Sequence, residues 1–244
     1  ADMAVDFRPL ATIAFPAILT QLATPIGQAY VTRSMAAYGE EAVAGMAVIG
    51  RITPVAFSVI WALSGAIGPI IGQNFGAGHV DRVKRAYLNA ITFVAVYVLF
   101  ITIILFAMRG SIADLFNAEN LTRELIYLYC FPVALSAFFS GSVFVASASF
   151  NTLGRPSYST WLSWGQHTLG TWPFVIAGGI LMGAQGVLIG QALGSIIFAS
   201  IAIWLGWRLI KNPPQENMRH RSHSALFGHG SLIAHTLQKH VGDK

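Results

Sequence analysis

Apolar residues along this chain come in long unbroken runs rather than in alternating or amphipathic stretches. Charge-free segments extend over Leu10–Thr32, Ile52–Gly78, Ala86–Met108, Leu125–Gly154 and Pro156–Trp207. A helix needs about 20 mostly apolar residues to cross a bilayer. The first four runs each have room for one crossing, and the second extends back to Val43 with Arg51 inside it. The fifth is twice as long and has His167 as its one titratable group besides tyrosines. It contains the small, turn-prone "MGAQG" at 182–186, where the pattern predicts a fold-back. The expected architecture is an all-α integral membrane protein with six transmembrane helices, at about 10–32, 43–72, 86–108, 125–152, 157–181 and 186–208. A short segment, 1–9, precedes them, and a polar tail, 211–244, follows.

The connections differ in character. "SIADLFNAENLTRELI" (111–126) alternates apolar and polar residues at helical spacing and reads either as an interfacial helix or as a plain loop. "NPPQENMRHRSHS" (212–224) is polar and rich in helix breakers, the signature of a disordered segment. Its neighbourhood holds His220, His223, His229, His235 and His240 at irregular spacing, with no cysteine or acidic pattern to complete a metal site. A solvated tail is expected there, and no metal site is predicted.

Composition sharpens the membrane reading. Hydrophobic residues make up 55% of the 244 and charged ones 10%, against roughly 25% charged in soluble domains. Six spans put both termini on one side. With the termini inside, Arg8, Arg82, Lys84, Arg85, Arg155, Arg208 and Lys211 are inner, and Arg33, Arg109 and Arg123 are outer. Lys and Arg concentrate on the cytoplasmic side of membrane proteins, which favours cytoplasmic termini in the cell's inner membrane. The single cysteine, Cys130, sits in an apolar run and reads as a small buried residue.

Enzyme motifs are absent. "GPIIGQNFGAGHVDRVKRA" (68–86) is glycine-rich, but Gly78 is followed by His79, where a P-loop needs Lys and then Ser or Thr. There is no HExxH, CxxC or GxSxG. The stretch reads instead as a membrane exit, in which Gly72, Gly76 and Gly78 let a helix end and turn into a short basic interfacial helix. Arg82, Lys84 and Arg85 form that basic elbow and would meet anionic headgroups.

Polar residues inside spans are costly and face either a cavity or another helix. Gln21, Thr24 and Gln28 share one face of the first span, beside Pro25. They line a cavity or tie helices together. The second span carries Arg51, Pro54, Ser58 and Trp61 on one face, and Arg51 either snorkels outward or pairs with an acid or substrate. The fourth offers Ser136, Ser140, Ser147 and Asn151, and the fifth Gln166 and His167. His167 is either a proton or ligand contact or a hydrogen-bonded structural group. The candidate cavity set is Gln21, Thr24, Gln28, Ser58, Trp61, Ser136, Ser140, Asn151, Gln166 and His167. Gly186, Gly190 and Gly194 form a ridge at i, i+4, i+8 that allows close helix approach. No Asp or Glu lies within any span.

Three stretches carry a family likeness. "FPAILTQLATPIGQAYVTRSMAAYGEEAVAG" (15–45), "SGAIGPIIGQNFGAGHVDRVKRA" (64–86) and "ASASFNTLGRPSYSTWLS" (146–163) resemble, in order, the seventh span, the eighth span with its inner loop, and the tenth-to-eleventh junction of multidrug and toxic compound extrusion (MATE) transporters. The middle stretch is the most specific, with GQN, GAG and DR at that family's spacing. The resemblance implies the C-terminal six-helix lobe of a twelve-span antiporter. Such proteins export organic cations or amphipathic drugs by alternating access, driven by H⁺ or Na⁺. It implies as partners an N-terminal lobe missing here or carried on a separate chain, membrane lipids, and a small cationic or amphipathic substrate; no nucleic acid and no cofactor are expected. Members that bind a cation in this lobe use carboxylates in spans matched here by Gln21, Thr24 and the Ser and Asn residues of the fourth run. That departure places the coupling ion in the other lobe. A lipid-linked oligosaccharide flippase of the same superfamily, or an inactive half-transporter or membrane scaffold, remains as an alternative.

Overall fold

The computed structural model describes the backbone from residue 3 to 211 and side chains from residue 18 to 211. The polar tail and its histidines lie outside the described residues. The rest is helical: α1 (Met3–Ala36), α2 (Glu40–Gly76), α3 (Val80–Leu115), α4 (Asn120–Cys130), a one-turn 3₁₀ segment (Val133–Ser136), α5 (Ala137–Thr152), α6 (Pro156–His167) and α7 (Trp172–Lys211). Among the described residues, four segments are long and apolar enough to cross a membrane: 40–76, 80–115, 133–152 and 156–211.

Segment 156–211 makes two passes. As one helix its 56 residues would run roughly 84 Å, far beyond a bilayer. The chain reverses at Gly183, whose φ of 62° and ψ of −143° suit glycine alone. Beyond the turn the two arms pack backbone to backbone. A methyl group on Gly186 would overlap the carbonyl of Gly178, one on Gly190 the carbonyl of Phe174, and one on Gly194 the carbonyl of Gly170. The glycine ridge therefore has the close-packing role that its spacing predicts. With this fold-back the lobe has six passes: α1, α2, α3, α4 with the 3₁₀ turn and α5, α6 with the first arm of α7, and the second arm of α7.

Two passes are broken mid-course, which continuous apolar runs do not announce. Pass four bends at Phe131–Pro132, where the proline has no N–H to donate and a 3₁₀ turn takes over. Pass five breaks over residues 168–171, just before Pro173. Gly170 N–H turns to Gly165 O (2.8 Å), and the Gln166 carbonyl it leaves accepts from Thr171 Oγ1 (2.8 Å), while Thr168 Oγ1 adds a second bond to Trp164 O (2.6 Å). Inside a membrane such breaks persist only where protein re-satisfies the backbone or a cavity is lined.

Segment 111–126 is neither of the forms expected for it. Helix α3 runs on to Leu115, and α4 starts at Asn120 after a tight turn with Asn117 at φ 47°. Glu41 at the start of α2 covers the exposed amides of α4, accepting from Leu121 N (3.2 Å) and Asn120 Nδ2 (3.2 Å). Arg123 bridges back to Asp114 at 2.9 Å. The basic elbow also differs from expectation. No separate interfacial helix forms, and Arg82, Lys84 and Arg85 occupy the opening turns of the long α3. Of the three nearby glycines only Gly78 takes positive φ, at 75°. There the His79 amide donates back to Asn74 O (2.9 Å), closing the end of α2.

Helix α5 is the hub, packed against α2, α3, α6 and α7. Tyr87, Val94, Val98, Leu125, Ile126, Phe150 and Ile71 fill the core around it. The outward faces of α3 and α7 stay apolar: Val96, Leu99, Phe100, Ile103, Ile176, Ile180, Leu181 and Trp204 are all exposed. A continuous apolar surface of that kind is stable in lipid and aggregates in water. The chain is a multi-pass α-helical membrane protein.

Candidate functional site

A cavity of about 540 Å³ opens in the lobe, within the roughly 300–1,000 Å³ range of small-molecule sites. Every pass except α3 contributes to it. Both broken passes border it, through Ser136 and Ser140 on one and Gln166 and His167 on the other. The breaks turn these polar groups inward, as discontinuous helices do at transporter binding sites.

Seven of the ten sequence-derived candidates line the cavity: Thr24, Gln28, Trp61, Ser136, Ser140, Gln166 and His167. Three do not. Gln21 is exposed on α1 one turn before the lining begins at Thr24. Ser58 is exposed on α2, which presents Thr53, Pro54, Phe57, Ile60 and Trp61 to the cavity instead. Asn151 ties two passes together, its Oδ1 accepting from Ser159 Oγ (2.9 Å) across the "GRP" turn. Arg51 is exposed and lies outside the lining. Arg82 and Arg85 are exposed, and Lys84 pairs with Asp81 at 3.3 Å.

His167 is held by α1. Its Nε2 shares a hydrogen bond with Thr24 Oγ1 (3.2 Å), and its ring packs over Gly27, where a methyl group would sit 2.8 Å from Nδ1. Trp164 Nε1 donates to Leu19 O (3.0 Å), and Thr20 and Thr160 share a 2.8 Å bond. Helices α1 and α6 are thereby stitched together along the cavity edge.

Sequence reasoning missed Thr53, Tyr129, Ser163, Gln191 and Ser195 in the lining. Three of these are used internally. Thr53 Oγ1 shares a 2.7 Å bond with Tyr129 OH, and Ser195 Oγ donates to Gln191 O and lies 3.4 Å from Gln166 Nε2. Among the described residues, no Asp, Glu, Lys or Arg lines the cavity, and no cluster of metal-ligating side chains occurs.

A polytopic helical lobe with broken passes around a mainly apolar cavity that carries a few uncharged polar groups has the architecture seen in membrane transporters. Comparison with known proteins assigns the family: the MatE profile matches residues 16–169, and the chain belongs to the MatE family. It is 33% identical over 209 residues to an uncharacterized 21 kDa protein of Pseudomonas savastanoi, covering 82% of this chain and 66% of that protein. It is 27% identical over 207 residues to a FAD transporter of Shewanella oneidensis, covering 85% of this chain and 46% of that one. Its fold matches the MATE transporter VcmN of Vibrio cholerae, crystallised as a mutant, with a TM-score of 0.77 at 25% identity over 84% of this chain and 47% of that one. The chain thus spans about half the length of the FAD transporter and of VcmN.

Proposed function

We propose that this chain forms one six-helix lobe of a secondary active exporter that moves organic cations or other amphipathic compounds outward by alternating access, coupled to H⁺ or Na⁺. The observation that carries this reading is the uncharged cavity enclosed by five of the six passes. The relative named as a FAD transporter supports an organic, ring-bearing substrate. The absence of a carboxylate from the lining supports a coupling-ion site in the complementary lobe. The same lining disfavours a pyrophosphate-bearing lipid-linked sugar, which would need Arg or Lys. Both termini face the cytoplasm, with Arg82 and Arg85 exposed where anionic headgroups meet the opening turns of α3.

The test is transport by the full-length protein in proteoliposomes. A cation gradient should drive accumulation of an amphipathic dye. Ala192→Trp, which fills the cavity, should abolish it while the protein still elutes as a folded species. Gradient-dependent transport that survives Ala192→Trp sinks this assignment of the site.

A further inference from the structure

The transport reading leaves open which part of a ligand this lobe meets, and the cavity chemistry constrains it. Two carboxamides, Gln28 on α1 and Gln191 on α7, line the cavity and make no side-chain hydrogen bond to another described residue. Each offers two N–H donors and a carbonyl acceptor. By contrast Thr53, Gln166 and Ser195 are engaged within the protein. The same lining includes Trp61 and Phe144, which show 46% and 37% of their surface, and Phe57.

A cation entering this space finds no counter-charge. Aromatic faces return about 0.5–2 kcal/mol, while stripping an ion of water costs several kcal/mol. A neutral planar ring avoids that penalty. Its own amide groups pair with the carboxamides, which otherwise lose their water unpaired, and its face stacks on the indole.

We propose that this cavity takes the uncharged end of the ligand: a planar heteroaromatic ring with amide- or imide-type donors and acceptors, bonded to Gln28 and Gln191 and stacked on Trp61, with any charge on the ligand left outside. The proposal rests on the transport reading and names the chemistry of that same site.

The experiment titrates the full-length protein in lipid nanodiscs with two fluorescent tricycles, lumichrome (neutral, imide-bearing) and ethidium (cationic). Only binding abolished by Ala192→Trp is counted. Lumichrome is expected to bind at least about tenfold more tightly. Gln191→Leu should weaken lumichrome by about tenfold, the loss of roughly one ligand hydrogen bond with its desolvation. It should leave ethidium within about twofold. Gln191→Glu, which adds a carboxylate without changing size, should reverse the preference, and so tests the idea even if the leucine variant misfolds. Ethidium binding more tightly than lumichrome to the unmodified protein overturns the proposal and leaves the cavity reading standing. So does lumichrome affinity unchanged in both Gln191 variants and in Gln28→Leu. No cavity-dependent binding of either probe overturns the cavity reading as well.

Discussion

Replacing Gly190 with alanine tests the fold-back at its tightest kind of contact. In the second arm of α7 the new methyl group would overlap the carbonyl oxygen of Phe174 and lie 3.0 Å from the amide nitrogen of Val175. Both are backbone atoms, so no side chain can rotate away and the two arms must separate. Overpacking of this sort costs about 1–3 kcal/mol. Alanine recovers up to about 1 kcal/mol of helix propensity over glycine. Because the obstruction is rigid, the clash takes the upper part of its range, and a net loss of about 1–2 kcal/mol follows. That is about a 5- to 30-fold fall in the folded-to-unfolded ratio. Gly65 is the matched control, since nothing lies within 4 Å of a methyl group there. Gly65→Ala should stabilise by about 0.5–1 kcal/mol. Urea unfolding in mild detergent, with the two variants side by side, reads the difference. Equal midpoints for Gly190→Ala and Gly65→Ala would refute the backbone contact between the arms.

Two further predictions concern the ends of helices. Glu41→Ala removes the carboxylate that accepts from Leu121 N and Asn120 Nδ2 and should cost about 0.5–1 kcal/mol by thermal unfolding; an unchanged midpoint would mean that water caps α4 equally well. Gly78→Ala forces a side chain into φ 75° and should destabilise by about 1–2 kcal/mol, whereas Gly76→Ala, in ordinary helical geometry, should not destabilise in the same assay.

Much of the architecture could be read in the sequence because lipid imposes length and apolarity on each pass. The ridge Gly186, Gly190 and Gly194 was legible because a four-residue repeat of glycine has one main use between membrane helices. The breaks in passes four and five were not, since Pro132 and Pro173 sit within runs that hydropathy reads as continuous. Those breaks decide which polar groups turn inward. Thr24 and Gln28 could be placed from helical spacing, but the same spacing cannot say where along α1 the cavity begins, and so Gln21 was included. On α2 an estimated face differed by one residue from the observed one, exchanging Phe57 for Ser58. Gln191 and Ser195 are single polar residues flanking the glycines of the ridge, and only the approach of α6 and α1 shows that they face a cavity. The connection at 111–126 misled because α3 and α4 are both amphipathic near their ends, and a turn at Asn117 joins them directly.

The central claim is that this lobe holds its ligand in the cavity between passes one, two, four, five and six. Ser140 lines that cavity from α5, and the natural thiol, Cys130, is buried. A Ser140→Cys variant in a background whose natural cysteines, Cys130 among them, are replaced by alanine places a single reporter thiol on the wall. A small water-soluble thiol reagent should label it in the full-length protein, and a transported ligand should slow that labelling severalfold. Labelling at the same rate with and without ligand, or none in unfolded-free protein that is fully labelled once denatured, would contradict the account.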